Sequence, residues 1–205
     1  MKDRFMDLWQ RVGGNSNGNS EYDRILAAYQ ENDRHYHNLA HIEKCLTELD
    51  EVSVDEWVDE IEFAIWYHDM IYDTTDTDNE YQSALLAKEV CHNGGISSGF
   101  ANIVAQLIMA TSHRTVAKSQ AEKIIRDIDL VILASRQQQY DDYAENIRRE
   151  YEIYSDQEYR QGRMNVLRYF LAQERIYLTD DFYGKYETIA RANIEREIEQ
   201  LILRS

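Results

Sequence analysis

Histidine and aspartate are concentrated at three places in the chain where a divalent metal ion could use them. His37 and His41 lie four residues apart, a His68-Asp69 pair follows, and an Asp-Ile-Asp triplet occupies 127–129. Imidazole and carboxylate groups are common protein ligands for zinc, iron, manganese and related ions. Since the chain has only six histidines, this concentration predicts a metal site.

The spacing of these residues indicates how helices would present them. On a helix, His37 and His41 would lie on one face, one above the other. His68 and Asp69 would diverge by roughly 100°, but both could reach an ion above the helix end. A hydrogen-bonded core residue is the alternative for each single histidine. Asp69, however, follows the apolar run 63–67, where a buried and unpaired carboxylate is costly, so a cation or solvent must compensate it.

The Asp-Ile-Asp triplet lies in a helix predicted over 118–134. Asp129 falls near the apolar centre of the helical wheel, between Ile125 and Ile132, whereas Asp127 lies further out. A carboxylate buried on such a helix is paired or coordinates a metal. We therefore predict that Asp129 is a ligand and that Asp127 is a solvated or salt-bridged neighbour.

The elements that must position these groups are predicted to be helices throughout. The chain has no proline, and apolar residues recur at helical spacing almost everywhere. After a short apolar stripe over 5–12 and a flexible segment over 13–18, helices are predicted over 20–31, 36–50, 54–72, 78–92, 98–112, 118–134, 137–153, 156–173 and 180–203. Ser53 or Asp55 would start the 54–72 helix. With 205 residues and no break in composition, the chain predicts a single all-α domain over 1–205. Its metal-site core would span about 30–135, with C-terminal helices at about 136–205 packed on it.

The composition limits the partners. The 22 basic against 38 acidic residues give a net charge of −16, which argues against a nucleic-acid polymer as partner. No stretch approaches the length of a membrane span, so no membrane partner and a cytoplasmic location are expected. Cys45 and Cys91 are predicted to be reduced thiols in the core. The tyrosines of the C-terminal half could pack a homodimer face or finish the core, which we expect for most of Tyr140, Tyr143, Tyr151, Tyr154, Tyr159 and Tyr169.

In order, His41, His68-Asp69 and Asp129 resemble the H…HD…D signature of the HD superfamily of metal-dependent phosphohydrolases. The sequence around them is most similar to an uncharacterised bacterial family of predicted HD phosphohydrolases, and the similarity covers nearly the whole chain. The segments that carry this resemblance are 34–38 (Arg-His-Tyr-His-Asn), 66–69 (Trp-Tyr-His-Asp), 72–73, 79–80 with 83–84, Thr111 with His113, 129–130, 147–151, 162–163, 176–177 and 190–193.

The resemblance implies an HD-type helical bundle in which His41, His68, Asp69 and Asp129 bind a divalent metal. The pattern YHNxxH also resembles cyclic-nucleotide phosphodiesterases, and by that resemblance His37 would protonate the leaving oxygen. Histidine titrates near neutrality, as a general acid should. Mixed nitrogen and oxygen ligation fits manganese, iron, cobalt, nickel or zinc better than calcium, and magnesium is kept as a further candidate.

Further residues near the motifs are candidates for supporting roles. His113 would either stabilise a helix dipole or face the metal pocket as a catalytic residue. Asp73, one predicted turn after Asp69, and Glu80 could orient a ligand or a water molecule, although Glu80 could instead form a capping box with Thr77. Candidates for binding a substrate anion are Arg34, Arg114 and Lys118, each of which could equally be a solvated surface charge.

The expected function is hydrolysis of a phosphoester of a small molecule, with nucleotides included, by a metal-activated water that Asp69 or Asp129 orients. Whether the substrate is a monoester or a diester stays open. One alternative is a non-catalytic module that binds a metal or a nucleotide. Another is a dinuclear HD-type oxygenase in which His92 and His113 add ligands, although His92 more simply caps a helix.

Overall fold

The computed structural model describes residues 1–54, 56–113 and 116–203, and these residues form helices without any strand. The predicted all-α class is therefore confirmed. The helices are α1 (Lys2–Arg11), α2 (Gly18–Tyr29), α3 (Leu39–Glu51), α4 (Val58–Tyr67), α5 (Asn79–Gly94), α6 (Ser98–Ala110), α7 (Gln120–Asp129), a 3₁₀ helix (Leu130–Ala134), α8 (Gln137–Glu150), α9 (Asp156–Ala172) and α10 (Asp180–Leu203).

The chain forms two compact units, Met1–Ile125 and Arg126–Ser205. The first contains α1 to α6 and most of α7, and the second contains the end of α7, the 3₁₀ helix and α8 to α10. The prediction of one domain over 1–205 stays a prediction.

Two of the predicted helices beside the metal motifs have different bounds in the structure. Helix α3 begins only at Leu39, because the Asn38 side chain accepts the N–H of Ala40 and caps the helix. His37 therefore precedes the helix that carries His41. Helix α4 is shorter than the predicted 54–72. It begins at Val58 and ends at Tyr67, so Asp73 is not one helical turn beyond Asp69. Of the two predicted start residues, Ser53 lies before the helix and Asp55 lies outside the described residues.

Trp9 organises the core of the first unit. Its indole is buried, and its N–H donates to the carbonyl of Asn15 at 2.8 Å. Three glycines close around it, since a Cβ atom would lie 2.3 Å from the indole at Gly14, 2.7 Å at Gly18 and 2.8 Å at Gly94. These positions therefore require glycine because of the close approach of the ring.

Gly94→Ala is expected to lower the free energy of unfolding by about 1–3 kcal/mol, since the added methyl group overlaps a ring that cannot move aside. Chemical denaturation measures the loss. Gly162→Ala is the matched control, because a Cβ at this α9 position meets nothing within 4 Å. It should leave the stability unchanged or raise it by up to about 1 kcal/mol. Equal effects of the two substitutions would contradict the steric explanation.

Buried ionic and polar groups order the second unit. Asp127 is fully buried, and its carboxylate accepts the N–H groups of Leu178 at 2.7 Å and Thr179 at 2.8 Å, and the Thr179 hydroxyl. The prediction of a solvated or salt-bridged Asp127 is therefore wrong. Arg163 and Glu197 form a buried two-point ion pair at 2.8 and 3.0 Å.

Other sequence predictions can be compared with the burial of individual side chains. Cys45 and Cys91 are buried thiols that are not joined in a disulfide, as predicted. Of the six C-terminal tyrosines, Tyr140, Tyr143 and Tyr159 are buried, Tyr151 and Tyr154 are half-buried, and Tyr169 is exposed. Within the described ranges, none of the helices combines the length and the apolar character that crossing a bilayer requires.

Candidate metal centre

Helices α3 and α4 bring three of the predicted ligands together. His41 lies in the first turn of α3, three residues after the Asn38 cap, and His68 is the C-terminal cap residue of α4. Asp69 follows at the helix end, where its side chain can turn back over the last residues. Both histidines are buried, and Asp69 is half-buried. In the described part of the first unit, these three residues form a group that could hold a metal ion.

The distances between their ligand atoms suit a single ion. His41 Nε2 and His68 Nε2 are 3.1 Å apart, and Asp69 Oδ2 lies 3.0 Å from His68 Nε2 and 3.6 Å from His41 Nε2. Ligand atoms at about 2.1 Å from an ion are about 3.0 Å apart at octahedral positions and about 3.4 Å at tetrahedral ones. All three separations are close to these values, so one ion fits between the three atoms.

Asp69 Oδ2 is also a buried oxygen without a hydrogen bond of good geometry in the described residues, and the nearest nitrogen that could donate to it is His68 Nε2 at 3.0 Å. Burial raises the pKa of Asp69, but its interactions with His68, His37 and His41, when these rings are protonated, outweigh it and hold the pKa well below its usual value. The carboxylate is therefore ionised and directed at the two imidazoles. A buried anionic oxygen without a hydrogen bond is the kind of atom that a cation satisfies.

Neighbouring groups orient both histidine rings. His68 Nδ1 lies 2.9 Å from the carbonyl oxygen of Ile65. A carbonyl can only accept, so Nδ1 carries a proton, and in the neutral form that binds a metal Nε2 would present its lone pair to the cluster. His41 Nδ1 lies 3.1 Å from the hydroxyl of Tyr36, which can accept its proton in the same way. Such outer hydrogen bonds are typical of metal-bound histidine.

Arg34 is buried beneath the turn that follows α4. Its guanidinium donates to the backbone carbonyls of Asp69 and Met70 and to the Glu31 carboxylate. It also lies over the rings of Tyr29 and Tyr72, at 5.3 and 5.7 Å from their centroids. These contacts hold the backbone of Asp69 in place. They differ from the sequence expectation that Arg34 binds a substrate anion, since its donors are directed into the protein.

Arg34→Met is expected to weaken metal binding about 10- to 100-fold, the usual cost of losing an outer contact to a metal site. Arg34→Lys should recover part of this, because an ammonium group keeps the charge but lacks the planar fork that directs two N–H groups at the two carbonyls. Metal titration of the purified variants measures the change.

Arg4→Met provides the matched control for Arg34. Arg4 donates to Glu62 of α4 at 2.8 Å, so it supports the same helix without touching the turn. Its loss should lower the free energy of unfolding and leave the metal affinity unchanged. If Arg34→Met likewise changed only the stability, its positioning role would be wrong.

His37 lies beside the cluster although it is not on α3. Its ring centroid is 4.1 Å from that of Tyr72 and 5.9 Å from that of His41. Its charge is also among those that lower the pKa of Asp69. The half-buried side chain thus stands at the edge of the group of ligands, the position that a proton donor would need.

Several other predicted residues do not join the group of ligands in the first unit. Asp73 is exposed and accepts the N–H and hydroxyl of Thr75, whose hydrogen bonds lower its pKa. Glu80 is half-buried in the first turn of α5, where Asp78 rather than Thr77 is the N-terminal cap residue. Lys118 is exposed.

The remaining predicted histidines lie at helix ends. His92 is exposed in the last turn of α5, and His113 follows α6 with a left-handed backbone (φ 55°). Neither belongs to a group of described residues that could hold a metal. Arg114 lies outside the described residues. Asp129 ends α7 as a half-buried residue of the second unit, and its role as a ligand stays a prediction from the sequence.

Sequence reasoning missed some residues of the site. Tyr36, Tyr72 and Tyr29 were not predicted as partners, although Tyr36 stands inside the YHN motif. Cys45 was assigned only to the core, yet its Sγ lies 3.8 Å from both ring nitrogens of His41. Its position four residues after His41, on the same face of α3, was the available signal.

No protein-family model, curated protein or solved structure matches this chain. The resemblance to HD phosphohydrolases therefore stays a prediction based on the motifs.

Proposed function

We propose that this chain is a metal-dependent phosphohydrolase of the HD type that hydrolyses a phosphoester of a small molecule, with nucleotides as the first class to test. The observation that supports it is the group of three ligand atoms on His41, His68 and Asp69, which are 3.0–3.6 Å apart. The order of these residues in the sequence is the basis for proposing the HD type.

When bound, a divalent ion would lower the pKa of a water ligand and polarise a phosphoryl oxygen. The protein groups have separate tasks. His68 and His41 present ring nitrogens whose orientation the Ile65 carbonyl and the Tyr36 hydroxyl maintain. Asp69 supplies the negative charge, and Arg34 fixes its backbone. Asp129 stays the fourth ligand that the sequence predicts.

His37 is the proton donor in this proposal. Its ring lies beside Tyr72 and near His41, outside the three-ligand group, so it is available to a leaving group. An imidazole can give a proton at neutral pH and recover it from water. His113 stays the second proton-donor candidate that the sequence predicts.

A screen of the purified protein tests the function. Metal is removed with a chelator, and manganese, iron, cobalt, nickel, zinc or magnesium is added back before assays with phosphomonoesters, nucleotides and cyclic nucleotides. Hydrolysis that depends on a stoichiometric metal is the expected result. Tight metal binding without turnover of any phosphoester would favour the non-catalytic module.

A second candidate activity is an iron-dependent oxygenase, because two histidines and one carboxylate with open positions are also the ligand set of non-haem iron enzymes. The dinuclear form is not favoured, since His92 and His113 do not join the group. Oxygen consumption by the iron-loaded protein, measured beside phosphate release, separates the two activities.

A further inference from the structure

A groove of about 730 Å³ lies on the first unit between α5 and α6, and none of the candidate ligands lines it. Three alanines line it, Ala84, Ala105 and Ala110. Small side chains allow the backbone of another helix to approach closely, because the distance between packed helices depends on the residues at the contact.

The groove has apolar walls that remain open to solvent. Tyr81 and Leu85 of α5 are 49% and 45% exposed, and Val116 is 82% exposed. Small-molecule pockets usually enclose most of their ligand, whereas these walls stay open. The lining of α5 runs from Tyr81 to Lys88, about 10 Å or two helical turns. An open groove of this length suits a helix that lays one apolar face against it.

The charge of the groove is opposite to that of the chain as a whole. Lys88 and Lys118, two of only six lysines in the sequence, line it. Neither ammonium group has an ion-pair partner among residues 1–54, 56–113 and 116–203, although many arginines there are paired. Glu122 also lines the groove, but its carboxylate accepts the backbone N–H of Lys118. On a chain of net charge −16, two such cations beside an apolar groove favour an anionic partner.

We propose that this groove binds an acidic amphipathic helix of a partner protein. The apolar face of the helix packs against Tyr81, Leu85 and the alanines, and its carboxylates pair with Lys88 and Lys118. This binding is separate from the proposed hydrolysis and does not depend on it.

Two labelled synthetic peptides of about five helical turns test the proposal by fluorescence anisotropy. Both have leucine at helical spacing, and the remaining positions carry glutamate in one and lysine in the other. The protein should bind the glutamate peptide at least about tenfold more tightly. The net charge of −16 favours the lysine peptide, so this preference cannot come from non-specific attraction.

Substitutions then locate the binding. Lys88→Glu with Lys118→Glu should reverse the preference, so that the lysine peptide binds more tightly. Leu85→Glu should weaken the binding of the glutamate peptide about tenfold or more. The matched controls are Lys2→Glu with Lys185→Glu, and Ile189→Glu, which change similar exposed residues elsewhere. These controls should change neither the preference between the peptides nor the affinity for the glutamate peptide.

Three outcomes would overturn the proposal. The first is a preference for the lysine peptide, or a preference that survives charge reversal at Lys88 and Lys118. The second is a dimer, seen by light scattering, that Leu85→Glu dissociates, because a second copy would then fill the groove. The third is saturable binding of dodecanoate that Leu85→Glu abolishes, because the groove would then hold a small anionic amphiphile.

Discussion

Asp69→Asn and His68→Ala are each expected to abolish tight metal binding and phosphoester hydrolysis together. His68→Ala removes one of three atoms that lie 3.0–3.6 Å apart around the proposed ion, and Asp69→Asn replaces the anionic oxygen of this group with a neutral amide. Loss of an outer contact costs 10- to 100-fold in metal affinity, so loss of a ligand should cost at least about 100-fold. Isothermal titration with each metal, beside phosphate release, measures both losses.

Thermal unfolding gives a second measure of metal binding that does not depend on catalysis. A ligand at about 1,000 times its Kd stabilises the native state by about 4 kcal/mol. For a chain of this size, that corresponds to a rise of roughly 8–16 °C in Tm. The rise should be present in the native protein and absent in Asp69→Asn.

Asp73→Asn is the matched control for Asp69→Asn, because it changes an exposed carboxylate four residues away that bonds only to Thr75 in the described residues. It should keep the metal-dependent rise in Tm. If Asp69→Asn also kept the full rise, the three-ligand group would not be the metal site.

The helices and the three clustered ligands could be predicted because they depend on local signals. Helical spacing without proline fixes where most helices run, and His68-Asp69 stands at the end of an apolar run. The place of His37 could not be predicted in the same way. Its distance of four residues from His41 suggests one helix, but the Asn38 side chain caps the first N–H groups, so α3 begins at Leu39, two residues after His37.

The contacts that support the site and the second unit join residues far apart in sequence, so no local spacing predicts them. Arg34 reaches the carbonyl of Asp69, 35 positions away. Asp127 is buried because backbone N–H groups of Leu178 and Thr179 bind its carboxylate. On a helical wheel Asp127 points away from the apolar centre, so only the packing of the second unit shows why it can be buried.

His37→Gln is expected to lower kcat about 10²- to 10⁴-fold while leaving metal affinity unchanged, because His37 is proposed to donate a proton rather than to bind the ion. The loss should depend on the leaving group. An alkyl phosphate releases a strongly basic alkoxide that needs the proton, so it should show the full loss. A nitrophenyl phosphate releases a stable anion without protonation, so its loss should be much smaller.

His35→Gln is the matched control for His37→Gln. His35 is half-buried two residues earlier, and its described contact is through its backbone carbonyl, which accepts from the Asn38 side chain. The substitution should leave kcat unchanged for both substrates. An equal loss for both leaving groups in His37→Gln would mean that His37 only supports the site, through its packing on Tyr72. A loss confined to the alkyl ester cannot come from packing, because both substrates would meet the same rearranged site.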